Sequence, residues 1–330
     1  MEHHLMWSWP VYWYLFLAGT GAGAIAVSAF IYLRGPGGNF GERYFALAKY
    51  GALIGPLPVI IGTAFLIFEL GRPFRAFNIM TSNFWYAAFN PSPMNYGGWL
   101  LVLVGAVSVL YAMAFLDWKR YLAGGFADAL VRWSDRLRKP LASVSAPLAI
   151  ATAIYTAMLL GAMPARPLWN TPVLWSLFTV SALSTGIAAI MLANRLFHRS
   201  AVDPKQDGQF HNSGYWLTLS DIILISIELV VIALFFMFAY VTVQDASHAI
   251  KILLPGGELA PLFWTGVILI GLLVPLILES FFVIRTQYSG GHFHVPYLFE
   301  IATPLAVIVG GFMLRYVIVV GGQLTGPIGL

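Results

Sequence analysis

Cysteine is absent from all 330 residues. That excludes disulfides, a thiol nucleophile, cysteine-ligated zinc and any iron–sulfur cluster held by this chain. Charge is nearly as scarce. Asp, Glu, Lys and Arg make up 10% of the sequence, where a soluble globular chain carries about 25%. So few charges cannot cover a soluble fold of this length. A disordered chain is excluded as well, because it would be poor in aromatics, and here aromatics reach 15%. Alternation with a period of two is missing, so a transmembrane β-barrel fits poorly.

What is present is apolar sequence, 59% of the chain, in runs long enough to cross a bilayer, for which about 20 residues suffice. Eight runs qualify: 12–33, 46–71, 96–116, 141–163, 171–193, 216–241, 260–284 and 299–320. The expected fold is an all-α membrane protein, 1–330 forming a single integral membrane domain. The first run is too long for a cleavable signal and has no Lys or Arg before it. With the N-terminus outside, 13 of the 18 basic residues fall in inner loops and 5 on the outer side. The excess of inner cations predicts both termini outside. The net charge of +4 therefore reads as topology and contact with membrane lipid, not as nucleic-acid binding. Trp and Tyr gather at span ends (Trp7, Trp9, Tyr12, Trp13; Trp85, Tyr86; Tyr215, Trp216), as interfacial anchors do.

Two loops are long. Residues 72–95, on the outer side, are aromatic and apolar, and are expected to lie on the membrane surface or under a partner. In the inner loop 117–140, Phe126, Leu130, Trp133 and Leu137 recur with helical spacing among Arg132, Arg136 and Arg138. That pattern predicts a short basic amphipathic helix on the inner leaflet, or simple topology anchoring. The seven histidines (His3, His4, His198, His211, His248, His292 and His294) all sit in tails or loops. None reaches mid-bilayer, so the chain has no ligands for a haem of its own. His292 and His294, in GGHFHVP, read as a solvated pair, with a metal site as the alternative.

Ionisable groups inside spans are functional candidates by default. Glu69 ends the second span in ELGRP, three residues before Arg72. The two form either an interfacial ion pair or a carboxylate that takes protons from a bound hydroquinone, with the cation setting its charge. Asp221 and Glu228, seven apart in span six, share one helix face. At 1.5 Å per residue they lie roughly 8 and 18 Å from the inner end, and Glu279 in span seven lies about 9 Å from it. These three carboxylates read as a proton relay or as neutral packing groups, with Arg315 a partner for Glu228. Tyr14 and Tyr155 fall in the outer half, where a phenol either hydrogen-bonds a carbonyl or packs.

Several segments, taken in order, resemble the NrfD/PsrC family, the integral membrane subunits of polysulfide, nitrite and related respiratory reductase complexes. They are WSWPVYWYLFLAGTGAG, FELGRPFRAFNIM, NPSPMNYGGW, YTAMLLGAM, LWSLFTVSALSTG, LVPLILE and GGFMLRYVIVVGGQ. The resemblance implies two four-helix bundles and a quinone site near the outer surface, for menaquinone or ubiquinone. No redox metal is implied, so no haem and no iron–sulfur cluster in this chain. Electrons would pass to or from a four-cluster iron–sulfur subunit on the outer face, which serves a molybdopterin catalytic subunit or a multihaem cytochrome. Glu69 matches the acid of the family's ELGRP segment. Tyr155 matches the tyrosine of a YTG-like motif in which this chain has Ala157. Val11 and Tyr14 stand where the polysulfide-reductase pattern has an asparagine and a histidine. Asp221, Glu228 and Arg315 fall where members also place polar groups. The expected role is a quinone-reactive anchor in the cell inner membrane, a subunit of an oxidoreductase, with proton translocation as an added capacity. A secondary transporter or ion channel is the alternative, weakened by the lack of an inverted repeat. A quinol-oxidising subunit of an alternative complex III-like assembly is the narrower one, although members of that type carry extra spans.

Overall fold

The computed structural model describes residues 7–34, 44–71, 78, 92–121, 124–197, 204–242, 244–289 and 295–326, with backbone only for 204–213, 244 and 289. The described residues form no strand, and eight of their helices are long and apolar enough to cross a membrane. They are α1 (Trp9–Leu33), α2 (Phe45–Glu69), α3 (Pro93–Met113), α4 (Gly125–Gly161), α5 (Val173–Phe197), α6 (Gly214–Val241), α7 (Leu262–Tyr288) and α8 (Tyr297–Leu324). Each coincides with one predicted run, and only α4 begins well before its run. Large apolar side chains such as Leu57, Phe68, Val102, Ile223 and Ile277 point outward, as a lipid solvent permits.

The differences lie at helix ends and have local causes. α1 starts at Trp9, with Pro10 in its first turn, where the missing N–H is not needed. α2 hitches at Gly55–Pro56. It stops at Glu69 because Gly71 takes the left-handed conformation, φ +65°, which a glycine adopts without steric penalty. The stop therefore precedes Pro73. The predicted amphipathic helix is not a separate element, since Gly125–Gly161 is one 37-residue helix running through Pro140 and Pro147. At about 55 Å it exceeds a bilayer core, so the basic segment continues α4 beyond its apolar part. The first twelve residues of α7, Leu262–Leu273, wind as a wide π-helix. It gives way to α-helix next to Pro275, which has no N–H to donate. α6 is likewise the apolar part of a longer helix, Pro204–Val241.

α1 is the central helix. Its apolar window is 83% buried, against 28% for α3. It packs on α2, α4, α5 and α8, while α3 rests on α2 and α4, and α7 on α8 and α6. Small residues permit this. A Cβ added to Gly23 would overlap the Ala182 carbonyl oxygen of α5, and one on Gly186 would overlap the backbone of Gly23. In lipid, where no hydrophobic force draws helices together, such backbone approach is the main source of association. The start of α1 and the end of α8 meet at one end of the molecule, where Trp7 N–H donates to Gln323 Oε1 at 2.8 Å. That end is called the terminal end below.

Gly23→Leu is expected to destabilise the chain by about 3 kcal/mol, the upper end for overpacking, because backbone cannot yield as a side chain can. Gly105→Ala, with nothing within 4 Å of the added carbon, is expected to be neutral or to stabilise by up to about 1 kcal/mol. Thermal unfolding of the detergent-purified protein distinguishes the two.

Candidate functional site

At the terminal end, Glu69 closes α2 and is half-buried. Ser8, the residue before α1, meets it twice. Its backbone N–H donates to Oε1 at 3.0 Å, and its hydroxyl donates to the carboxylate at 2.8 Å from Oε2 and 3.0 Å from Oε1. The carboxylate thus ties the end of α2 to the start of α1. Arg72, the expected partner, lies outside the described residues, as do residues 72–91 of the aromatic loop apart from Asn78. The same holds for His292 and His294. Trp9 packs edge-on against Phe65, one turn before Glu69. Phe65 and Leu66 in turn lie against the buried cluster that contains Val11, Tyr14 and Tyr155.

Tyr14 is 0% and Tyr155 5% exposed. The two phenols are near enough to interact electrostatically. Neither hydroxyl has a hydrogen-bond partner, and neither does the buried Asn95 side-chain nitrogen of α3. Position 97 explains how Tyr155 fits, because its ring occupies the volume that a Cβ on Gly97 would take. Nothing in the sequence alone draws attention to Ser8, Asn95 or Gly97. The WSWPVYWY segment holds Ser8 and the NPSPMNYGGW segment holds Asn95 and Gly97, but neither says which serine meets an acid or which glycine faces a tyrosine.

A second buried lock holds the terminal end together. Trp169, in the connection between α4 and α5, donates from Nε1 to Ile318 O at 2.7 Å. It stacks on Trp7 at 5.0 Å and fills the space beside Gly322. Arg166 Nη1 donates to the carbonyls of Gln323 and Thr325. These contacts fix the start of α1 against the end of α8, and with it the depth of Tyr14.

The buried charges form a separate string through α5–α8. Arg315 is fully buried. Its Nη1 donates to Ser181 Oγ at 2.7 Å and to Gly311 O at 2.8 Å, and its guanidinium lies over the Phe178 ring at 5.4 Å. Glu228, 3% exposed, interacts electrostatically with both Ser181 and Arg315. Glu228 and Arg315 thus lie in one electrostatic neighbourhood. Asp221 accepts from Ser184 Oγ at 2.7 Å and keeps Oδ2 unpartnered. Glu279, 3% exposed, has no partner on either carboxylate oxygen and interacts electrostatically with Asp221. All four expected residues thus belong to one string. It is distinct from the Glu69–Ser8 and tyrosine groups. Among the described residues no three metal-ligating side chains converge.

Residues 1–327 match the family model described as Polysulphide reductase, NrfD. The chain belongs to this family. It is 33% identical over 325 residues to the C subunit of polysulfide reductase from Wolinella succinogenes, covering 97% of this sequence and 95% of that one. It is 28% identical to the protein NrfD homolog of Haemophilus influenzae and 27% identical to protein NrfD of Escherichia coli, with 97–98% of this sequence and 96% of each relative covered. Eight apolar helices in an NrfD-family member make this a multi-pass membrane protein.

Gly97→Ala is expected to expel the Tyr155 ring and to cost about 1–3 kcal/mol. Adding Tyr155→Ala should make the alanine at 97 nearly harmless, because the obstructing ring is gone. A double-mutant cycle on thermal stability reads this coupling.

Proposed function

We propose that this protein is the quinone-reactive membrane subunit of a polysulfide-reductase-like respiratory complex. In this reading both termini face outside, as the placement of basic residues favours, and α1–α4 and α5–α8 act as two four-helix bundles within one membrane domain. The observation that carries it is the pair of buried phenols, Tyr14 and Tyr155, whose hydroxyls have no partner in an NrfD-family member. A buried polar group left unpaired costs about 1–3 kcal/mol. A quinone carbonyl is an acceptor that both O–H groups can satisfy.

A menaquinone or ubiquinone head enters from lipid near the terminal ends of α1–α4. The bound quinone supplies two-electron, two-proton chemistry. The protein orients it and moves its protons. Tyr155 and Tyr14 donate hydrogen bonds to its oxygens. Glu69, held in place by Ser8, exchanges protons at its carboxylate, with Arg72 setting its charge state. The 72–95 segment covers the site and seats a four-cluster iron–sulfur subunit. That subunit passes electrons to or from a molybdopterin catalytic subunit or a multihaem cytochrome. The polysulfide reductase name carried by the Wolinella relative supports the first of these. Asp221, Glu228, Glu279 and Arg315 form a proton path toward the opposite face, in keeping with the rule that intramembrane charges mark such routes.

The test is turnover of the purified complex with a water-soluble quinol analogue. Glu69→Gln is expected to lower it by about 10²-fold or more, the usual scale of a lost acid–base group, with assembly intact. Tyr155→Phe should lower it by about tenfold through one lost hydrogen bond. Full activity in Glu69→Gln would remove the role given to that carboxylate. A protein that purifies without an iron–sulfur partner and moves a solute instead would favour a transporter.

A further inference from the structure

α6 packs on α5 and α7. Between α6 and α4 lies a groove of about 590 Å³. Its walls are Ile150 of α4 and Trp216 and Ile223 of α6, all three exposed. Its floor is buried and comes from other helices, with Ile31 of α1, Leu47 of α2 and Ile187 of α5. No charged residue lines it. Along α6 the groove runs from Trp216 to Leu224, about 12 Å at 1.5 Å per residue. A bilayer core is about 30 Å thick, so this length fits within one leaflet. The leaflet is the one opposite the terminal end, because the α1 residues concerned (Val27, Phe30 and Ile31) belong to the far end of that helix.

A flat helix face touches lipid on one side only. A chain lying in this groove meets apolar side chains on its floor and on both walls. Dispersion grows with the number of such contacts, so the groove holds an acyl chain better than the open bilayer does. The rim adds a second feature. Arg34 follows α1, is exposed, and places its guanidinium over the ring of Phe30 at 5.0 Å. Phe30 itself lines the groove. On α4, Lys139 is exposed and stands eleven residues before Ile150. Eleven residues are about three turns, so the two share a helix face. By helical rise Arg34 lies about 12 Å beyond Ala26, and Lys139 about 16 Å beyond Ile150, toward the same membrane surface. Neither cation forms an ion pair among the described residues. An uncharged groove thus opens toward two cations, and basic sites of this kind between membrane helices bind anionic headgroups.

We propose that this groove binds one anionic phospholipid from the leaflet opposite the terminal end, with an acyl chain between α4 and α6 and the phosphate at Arg34 and Lys139. Trp216 stands at the rim, where an indole suits the boundary between chain and headgroup. The lipid joins α4 to α6, which otherwise connect through α5. A quinone has a neutral head and gains nothing from the two cations, so it is the weaker occupant. The site is remote from Tyr14, Tyr155 and Glu69, and the proposal does not rest on the quinone reading.

The test has two arms, both on the intact complex. In the first, proteoliposomes contain a phosphatidylglycerol with a diazirine on its acyl chain, and adducts formed on illumination are located by peptide mass spectrometry. Ile150 and Ile223 are compared with Ile277 of α7, which also faces lipid. Labelling in the groove is expected to exceed that at Ile277 by about fivefold or more, the scale of one cation near an anionic headgroup. A phosphatidylcholine probe with the same chains should lose most of that excess. So should Arg34→Ala combined with Lys139→Ala, two exposed positions at which folding is not at stake. Equal labelling of the groove and Ile277, or an excess that survives both changes, would overturn the proposal. In the second arm, lipid retained by the complex in mild detergent is extracted and identified by mass spectrometry. The wild type is expected to keep a phosphatidylglycerol or cardiolipin, and the double variant about fivefold less of it. Ile223→Trp, whose larger ring fills the groove from its exposed wall, should lose it as well. Recovery of a quinone without an anionic phospholipid, or full retention in both variants, would count against the site. Quinol turnover enters neither arm, so a failure of the quinone reading leaves this result unaffected.

Discussion

The backbone contact between α1 and α5 at Gly23, Ala182 and Gly186 is the constraint on which the arrangement depends. Helices in lipid gain little from hiding apolar surface, because the solvent is as apolar as they are. They are held by dispersion at close range and by polar contacts between them. Removing the side chains from one seam lets α1 sink among four neighbours. It then serves as the common wall of two unlike interiors. On the terminal side it carries Tyr14 close to the α4 tyrosine. Little more than one turn deeper, Gly19 lies against the Arg315 guanidinium. A bulkier α1 would separate both groups from their surroundings at once.

The two interiors handle polarity differently. Around Arg315 the donors are engaged by Ser181, Gly311 and the Phe178 carbonyl, with Nε alone left over. A buried cation must be treated this way, since an unpaired charge in a low-dielectric interior costs several kcal/mol. Around Tyr14, Tyr155 and Asn95 the polar atoms are left open. Glu279 and one oxygen of Asp221 are open too. Hydrogen-bond vacancies are rare in protein interiors. The open phenols lie beneath the terminal end and the open carboxylates in the string through α5–α8.

Ser8 and Trp169 show how the ends are held. Neither lies in a span, yet one fixes the Glu69 carboxylate and the other fixes α1 to α8 through the Ile318 carbonyl and the Trp7 ring. The depth at which Tyr14 sits is therefore set from outside the membrane-spanning segments. A change in these short connections would reach the phenols without touching them.

Much of this was legible in the sequence. Length and hydropathy of the apolar runs determine eight helices, because a polypeptide in lipid must satisfy its backbone internally and a helix of about 20 residues does so. The scarcity of charge made Glu69, Asp221, Glu228, Glu279 and Arg315 stand out, since an ionisable group within a span is costly to keep there. The tertiary structure decided their partners. Glu69 meets Ser8, which is sixty-one residues away, and Arg315 donates to Ser181 on the facing helix. Gly97 makes room for Tyr155, and Arg195 pairs with Glu300. Serines and glycines are common in such helices and carry no periodic signal. Their meaning depends on which helix lies opposite and at what depth, and that follows from packing across the whole bundle, not from neighbours along the sequence.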